Sequence, residues 1–379
     1  MKINSKTQLS GKSSPKVTII VLFYNAAKVT LECLAAVEKY TNYNPLEIIL
    51  VDNGSGFEEK KELKKGLANF KNLEVKLIAN SENLGFAQAA NLAASKAKGE
   101  ILVFLNNDVI VTANWLKPLV LYLLKNDKVA ACQPKIRSFV KKDYFDYAGG
   151  AGGFLDIFGY SFTRGRVFDS IEKDVGQYDR PCEILWASGS CLVIKTEAFL
   201  NLGGFDEYFF SYMEEIDLAI KLAEKGYRIY SVPQSLVYHY GAYTSNKNLP
   251  FKIYLNHRNH LYLVLKHYSI WPYLPIILAC FLFEIGAVFY YFFSLRFSFI
   301  SSVFKADVEI VFKLPHFAKI GIITWSGRTL LRLKNIYSGS VVVSYFIYGK
   351  KSFSQLMKYK SKRKKEFKKY VDVTFLSKS

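Results

Sequence analysis

Glu100-Ile101-Leu102-Val103-Phe104-Leu105-Asn106-Asn107-Asp108-Val109 is the stretch that decides the fold of this chain. An unbroken run of apolar, strand-forming residues marks a strand covered on both faces, as in parallel sheets sandwiched between helices. The run stops on three small polar residues, the last of them a carboxylate. Open α/β sheets bind ligands just beyond the carboxyl ends of their strands, and a carboxylate there can hold a divalent cation against a phosphorylated ligand. Two earlier runs end in the same way. Val17–Leu22 leads into Phe23-Tyr24-Asn25, and Glu47–Val51 leads into Asp52-Asn53-Gly54-Ser55. Three such ends on one rim make a site.

Outward from these strands the pattern alternates. Helix Val29–Tyr40 places Leu31, Leu34, Ala35 and Val37 at helical spacing, a charged helix spans about Glu58–Gly66, strand Glu74–Ile78 follows, and helix Phe86–Ala97 is stopped by Gly99. Repeated βα units predict an α/β fold with a mostly parallel sheet and helices on both faces. Residues 137–180, with Gly149-Gly150 and Gly152-Gly153, read as an insertion of loops or short hairpins. Beyond it come a strand over Glu183–Lys195 broken at Ser188-Gly189-Ser190, a helix over Met213–Lys225, and a strand over Tyr227–Val232 leading to His239.

The 379 residues allow one large core and a second region. The net charge of +19 points to anionic partners: membrane surface, nucleic acid or phosphorylated substrates. Five scattered cysteines without a CxxC pair argue against a zinc site or a disulfide frame. Residues 1–15 read as a polar leader, 16–250 as the α/β domain, 251–350 as a helical membrane-associated region and 351–379 as a basic tail. Ile270–Leu295 carries Glu284 as its one charge in 26 residues, long enough to span a bilayer. Met357–Tyr370 holds eight basic residues against Glu366. The positive-inside rule would keep that tail and the catalytic half on the same side, which favours a re-entrant hairpin or in-plane helix over one crossing. A buried helix pair is the alternative for the apolar stretch, and a solvated face or a nucleic-acid arm the alternative for the tail. No recognisable nucleic-acid module accompanies the charge, so nucleic acid is not the expected partner.

The ordered motifs are Tyr24-Asn25, Val51-Asp52-Asn53-Gly54-Ser55, Asn83-Leu84-Gly85-Phe86 with Asn91, Leu105-Asn106-Asn107-Asp108, Gly203-Gly204-Phe205-Asp206-Glu207, Tyr212-Met213-Glu214-Glu215-Ile216-Asp217-Leu218, Gly226-Tyr227 and His239. Together, over about residues 16–265, they resemble the GT-A fold inverting glycosyltransferases of family 2, in particular their rhamnosyltransferase-like branch. The resemblance implies transfer of a hexosyl or deoxyhexosyl group from a dTDP- or UDP-sugar to a lipid-linked or cell-surface glycan, at the cytoplasmic face of the membrane beside anionic lipid. The Gln-x-x-Arg-Trp motif of the family's processive synthases is absent, which implies a non-processive enzyme.

The resemblance also implies roles. Tyr24, Asn25, Asp52, Asn83, Gly85, Asn91, Asn106 and Asn107 would line the nucleotide-sugar site. Asp52 would accept the imide N–H of a pyrimidine, with a turn aspartate supporting Asn53-Gly54-Ser55 as its alternative. Asp108 and His239 would ligate Mg²⁺ or Mn²⁺; Asn106 stands where the family carries its first aspartate, which leaves Asp108 as the anionic ligand. Glu215 would be the general base, one methylene longer than the family's Asp and expected to stay ionised at neutral pH. Glu214 would orient the acceptor, with Trp186, Ser188 and Gly189 on the acceptor side; Trp186 has core packing as its alternative. Asp217 is expected only to favour the helix N-terminus. The departures at Asn106 and Glu215 keep open a catalytically inactive sugar-nucleotide-binding scaffold, and the charge alone a nucleic-acid-binding protein.

Overall fold

The strands that end at the rim are level with one another. In the computed structural model, which describes residues 14–241, 248–324, 330–333 and 335–360, β1 (Val17–Phe23) pairs in parallel with β2 (Leu46–Asn53) so that Phe23 lies beside Asp52. β3 (Val75–Asn80) continues the parallel set beyond β2, and β4 (Ile101–Asn106) flanks β1 on its other side with Asn106 beside Leu22. Most of the expected leader (residues 1–13) and of the basic tail (residues 361–379) lies outside the described residues.

Alternate residues of these strands feed two cores. Ile19, Val21, Leu50 and Val103 pack on the side of α1 (Ala27–Tyr40), while Ile20, Ile49, Val51, Leu102 and Phe104 face α3 (Gly85–Lys96). The buried face of α3 is built from Ala87, Ala90 and Ala94, small side chains that let the helix lie close to the sheet. α2 (Phe57–Leu67) between β2 and β3 packs against α1.

The sheet has nine strands, and its second half is not parallel. After the short β5 (Val109–Val111), α4 (Leu116–Leu124) and β6 (Val129–Ser138), the chain leaves for the insertion. It returns with β11 (Cys182–Ile184) at the sheet edge and β12 (Cys191–Lys195), which runs antiparallel between β4 and β6. The single broken strand expected over Glu183–Lys195 is therefore two strands in different places; the Leu185–Ser190 turn carries the chain between them. The α/β class holds, but within this sheet parallel pairing is confined to β3-β2-β1-β4 and to β6 with β13 (Arg228–His239).

The insertion is a small second sheet of β7 (Gly153–Asp156), β8 (Ser161–Thr163), β9 (Arg166–Val167) and β10 (Ser170–Ile171). Its fifth strand comes from the far end of the chain. β14 (Ile336–Tyr337) pairs with β7, and Asp156 accepts from Val341 N at 2.7 Å. Between β12 and β13 lie α5 (Thr196–Asn201) and α6 (Glu214–Glu224). α7 (Leu249–His267) crosses behind α6, and α8 (Ile270–Phe293) and α9 (Phe297–Lys319) form a hairpin, with α9 packed on α7. α10 (Val341–Phe346) and α11 (Phe353–Lys360) close on the insertion. Of the apolar segment Tyr273–Phe293, only 17% is buried, so it is not a core helix.

Candidate functional site

Asn25, Asp52 and Asn53 knit the first two strand ends together. Asn25 has a left-handed backbone (φ 48°), which Asn tolerates better than most residues. Its N–H donates to Ser55 Oγ at 3.0 Å, and its Oδ1 accepts from Gly56 N at 2.8 Å. Asp52 is buried; its Oδ1 caps Ser55 N at 2.9 Å and its Oδ2 lies 3.6 Å from Lys60. That is the turn-aspartate geometry, with one oxygen left toward a cation. Asn53 donates to Asn83 Oδ1 and to Gly85 O, both at 3.0 Å, and accepts from Asn80 and Leu84. Tyr24 stands 43% exposed on the rim.

Asp108 follows β4 directly, and the sheet itself brings His239 to it. β13 pairs antiparallel with β5, setting His239 beside Val109, and Tyr240 N donates to Asp108 O at 3.0 Å. His239 Nε2 lies 3.0 Å from Asp108 Oδ1, yet it is buried without an aligned hydrogen bond. Its Nδ1 is 2.8 Å from Asp146 Oδ1. Burial opposes charge on this ring, but Asp108 and Asp146 outweigh it and raise its pKa to about 10. A carboxylate on Nδ1 fixes the tautomer that presents Nε2 as a ligand. A divalent ion that displaces the Nε2 proton would find a borderline nitrogen beside a hard Asp oxygen there. Among the described residues no cluster of three or more His, Cys, Asp or Glu could hold a metal by itself.

Glu214 and Glu215 open α6 after a strained turn. Phe210, Tyr212 and Met213 all have positive φ (62°, 71° and 71°), a conformation that costs of order 1–3 kcal/mol per residue and survives only where the surroundings impose it. They do so here from two sides. Asn259 on α7 donates to the carbonyls of Phe209, Ser211 and Tyr212 at 3.0, 2.8 and 2.7 Å, and Arg258 to those of Tyr208 and Phe209. At the head of α3, Phe86 N and Ala87 N donate to Phe210 O at 2.6 and 3.1 Å. Gly85 (φ 77°) must be glycine for that approach, since a Cβ would stand 2.5 Å from Phe210 O.

The result is a pair of carboxyls, each with one oxygen buried and without a hydrogen bond. Burial pushes Glu215 up to about 7, opposed by backbone N–H groups at the helix start. Glu214 is driven well above the usual range by its burial and by the charge on Glu215. In the metal-free chain burial thus works against the ionised Glu215 expected from the sequence, an effect that a bound cation would oppose. Asp217 does more than favour the helix end. It meets Lys266 at 2.7 Å, His267 at 2.8 Å and Lys221 at 3.2 Å. Against its burial, its contacts with His267, Lys266 and Lys221 hold its carboxyl well below the usual range, and the first two dock α7 onto α6.

Several expected site residues have structural partners instead. Trp186 is buried with its ring against Gly153 and its indole N–H donating to Phe154 O at 3.0 Å. It is core, because the insertion closes over it. Asn91 holds Phe205 through both ends of its amide, at 2.8 and 2.9 Å. Asn107 turns into the α1 side to donate to Thr30 Oγ1 at 2.9 Å. Asn83 braces Gly85 N, and Ser188 Oγ donates to Ala148 O. The Ser188–Ser190 loop still reaches the rim: Ser190 O accepts from Asn106 N at 3.0 Å, and Gly189 lies against Phe86. Asp146, Arg258 and Asn259 escaped the sequence reading. Asp146 sits in the insertion, far from any motif, while Arg258 and Asn259 are buried polar residues within a helix of mixed composition.

The sequence profile described as Glycosyl transferase family 2 matches residues 18–197. The O-antigen biosynthesis protein RfbC of Myxococcus xanthus is 27% identical over 239 residues, 63% of this chain and 18% of that protein. Polypeptide N-acetylgalactosaminyltransferase 10 of Homo sapiens is 28% identical over 258 residues, 66% of this chain and 41% of that protein. The chain thus spans less than half the length of these relatives. The crystal structure of GalNAc-T7 with UDP, GalNAc and Mn²⁺ superposes with a TM-score of 0.52 at 22% identity, covering 67% of this chain and 48% of that one. Residues 18–197 thus match the glycosyl transferase family 2 profile, and the chain has the GT-A arrangement of sheet and helices.

Proposed function

We propose that the chain transfers a hexosyl or deoxyhexosyl group, with inversion, from a UDP- or dTDP-sugar to a lipid-linked or cell-surface glycan at the cytoplasmic face of the membrane. The observation that carries this is the pairing of Asp108 with His239 Nε2 at the β4 end, in a fold that also presents the half-buried carboxyl of Glu215. Asp108 and His239 hold Mg²⁺ or Mn²⁺, and Asp146 orients the ring from behind. With the ion bound, charge on the departing nucleoside diphosphate is offset. Glu215 takes the proton of the acceptor hydroxyl, and Glu214, which keeps its own proton more readily, hydrogen-bonds the acceptor. Asp52, with one oxygen in its turn, offers the other to the pyrimidine imide. Tyr24 and Asn106 flank the donor, while Asn25, Asn83, Gly85, Asn91 and Asn107 shape its walls.

The acceptor assignment draws support from the 27% identity to an O-antigen biosynthesis protein and from the α8–α9 hairpin. Along α8, Trp271, Leu278, Leu282, Ile285, Phe289 and Phe293 recur on one face and are all exposed. An apolar face of that length in a chain of net charge +19 suits an anionic lipid surface.

The test is nucleoside diphosphate release from UDP- and dTDP-sugars by the full chain in Mn²⁺. Release that stops in EDTA and is lost in Asp108→Ala, with the variant's thermal midpoint unchanged, supports the reading. Nucleotide binding without turnover of any sugar donor would instead make the chain an inactive scaffold, the alternative that the departures at Asn106 and Glu215 keep open.

A further inference from the structure

Glu309 is a half-buried carboxylate in the middle of α9, a helix whose inward positions Val303, Ala306 and Ile310 are apolar and fully buried. It belongs to neither the donor rim nor the carboxyl pair of α6, yet it is engaged from several sides. Its Oε1 accepts from the Tyr208 hydroxyl at 3.1 Å and meets Lys313 Nζ at 3.1 Å, and its Oε2 accepts from the Tyr254 hydroxyl. Arg258 Nη1 stands 3.9 Å from Oε1. Burial opposes charge on Glu309, but the Tyr254 and Lys313 contacts outweigh it and hold its carboxyl below its ordinary value.

The two tyrosines that Glu309 holds also face Arg258. The guanidinium lies 4.7 Å from the Tyr208 ring centre and 5.5 Å from that of Tyr254. Arg258 is buried, and a buried cation needs a facing carboxylate, which Glu309 supplies. The guanidinium then serves two groups. Its Nη2 donates to Tyr208 O at 2.7 Å and to Phe209 O at 3.0 Å, at the entry to the strained turn. Its Nε and Nη2 donate to Asn259 Oδ1 at 3.0 and 2.7 Å. With that oxygen taken, the Asn259 amide turns its N–H groups to the carbonyls of Phe209, Ser211 and Tyr212. Helix α9 touches the turn as well: Phe210 and Tyr212 pack against Tyr254, Leu255 and Ala306, and the Phe317 ring meets Tyr208 edge-on at 5.4 Å. A line of contacts therefore runs from Glu309 through Arg258 and Asn259 to the residues just before Glu214-Glu215.

We propose that Glu309 is a positioning residue for the transfer step: by holding Tyr208, Tyr254 and Arg258 it keeps the Phe209–Met213 turn in the shape that aims Glu215 at the acceptor hydroxyl. This rests on the glycosyltransferase reading and assigns the hairpin a part in the chemistry besides its apolar outer face. The action is indirect. A base displaced by about 1 Å can lose as much as 10²-fold in rate, so a carboxylate that fixes the turn from a neighbouring helix controls turnover without meeting the substrate.

Nucleoside diphosphate release by the full chain in Mn²⁺, read together with amide hydrogen exchange by mass spectrometry, tests this. Glu309→Gln keeps the shape and one hydroxyl acceptor but removes the charge facing Arg258. It should lower kcat roughly tenfold or more and leave the donor KM and UDP affinity within about twofold. Exchange should quicken across residues 208–213 and stay as it was in β1, β2 and β4. Arg258→Gln should do the same, and Glu309→Gln added to it should cost little further, the non-additivity of residues acting in one line. Val311→Ser, on the other flank of α9 and 52% exposed, should leave every reading alone. Unchanged kcat in Glu309→Gln, a kcat loss without faster exchange in the turn, additive losses with Arg258→Gln, or a matching loss in Val311→Ser overturns the proposal. An equal loss of UDP affinity overturns it too, since Glu309 would then support the fold as a whole. Should Arg258→Gln not fold, Glu309→Gln and Val311→Ser decide alone. A wild type that releases no nucleoside diphosphate from any sugar donor strikes the glycosyltransferase reading, whereas exchange in Glu309→Gln still reports whether this carboxylate holds the turn.

Discussion

The donor rim and the base loop are built in opposite ways. At the rim, each polar residue is the end of its own strand, and its partners are the ends of adjacent strands: Asn25 with Ser55 and Gly56, Asn53 with Asn80 and Asn83, Asp108 with His239. Apart from left-handed Asn25 the backbone of these residues is relaxed, and register aligns the groups. The loop Phe209–Met213 is held instead from α7, with Asn259 about 50 residues away in sequence, and from the head of α3, more than 120 residues away. Three of its five residues have positive φ. A rim made by register tolerates local change, whereas a loop clamped in a strained shape fails when one distant clamp is removed. The difference also separates the chemistry. The rim gathers fixed ligands, while the loop keeps two like charges close together and partly stripped of water.

The sharpest break is at the base. Glu215→Gln should cut single-turnover transfer by roughly 10²–10⁴-fold, the usual loss for a general base, with donor binding by calorimetry unchanged and Glu214→Gln less damaging. Wild-type turnover in Glu215→Gln would move the base to another carboxyl. The same variant carries a stability signature. Because the folded Glu215 is raised to about 7 from 4.5, the metal-free fold holds a proton that the unfolded chain has released. That contribution is present below the unfolded value and is lost as pH rises through about 7. Glu215→Gln should therefore raise the thermal midpoint over wild type at alkaline pH and not in acid.

On the rim, the second carboxylate of His239 is the point to press. Asp146→Asn should weaken Mn²⁺ affinity by roughly 10–100-fold, as loss of an orienting partner does. Titration of Mn²⁺ against turnover and against thermal midpoint reads this out. Unaltered affinity would show that the sheet pairing of β13 with β5 suffices to aim the ring.

The clamp comes next in size. Asn259→Ala leaves three loop carbonyls without their donor, and buried groups so stripped cost about 1–3 kcal/mol. Chemical denaturation should show that loss, with a fall in kcat and no change in UDP affinity. If UDP binding falls equally, the loop and the rim are one unit rather than two.

The smallest expected effect is at Trp186. Trp186→Phe removes the bond to Phe154 O and should cost about 1 kcal/mol of stability while leaving acceptor KM alone. A raised KM with unaltered stability would return Trp186 to the acceptor side.

The sheet, its rim and the carboxyl-bearing helix α6 were legible because each rests on local chemistry. An apolar run of strand length followed by Asn-Asn-Asp, or a helix opening on Glu-Glu, reads the same in any surroundings. The apolar length of α8 was legible for the same reason, since it lies in the composition of one stretch of chain. Tertiary structure decided what depends on pairing across long stretches of chain. It split Glu183–Lys195 into two strands and made half of the sheet mixed. It closed the insertion with β14, buried Trp186, and delivered Asp146 to His239 and Asn259 to the base loop. A side chain's type fixes what it can bond, but a contact between residues 50 to 200 apart is chosen by which packing leaves the fewest polar groups unpaired. Only the folded chain settles that.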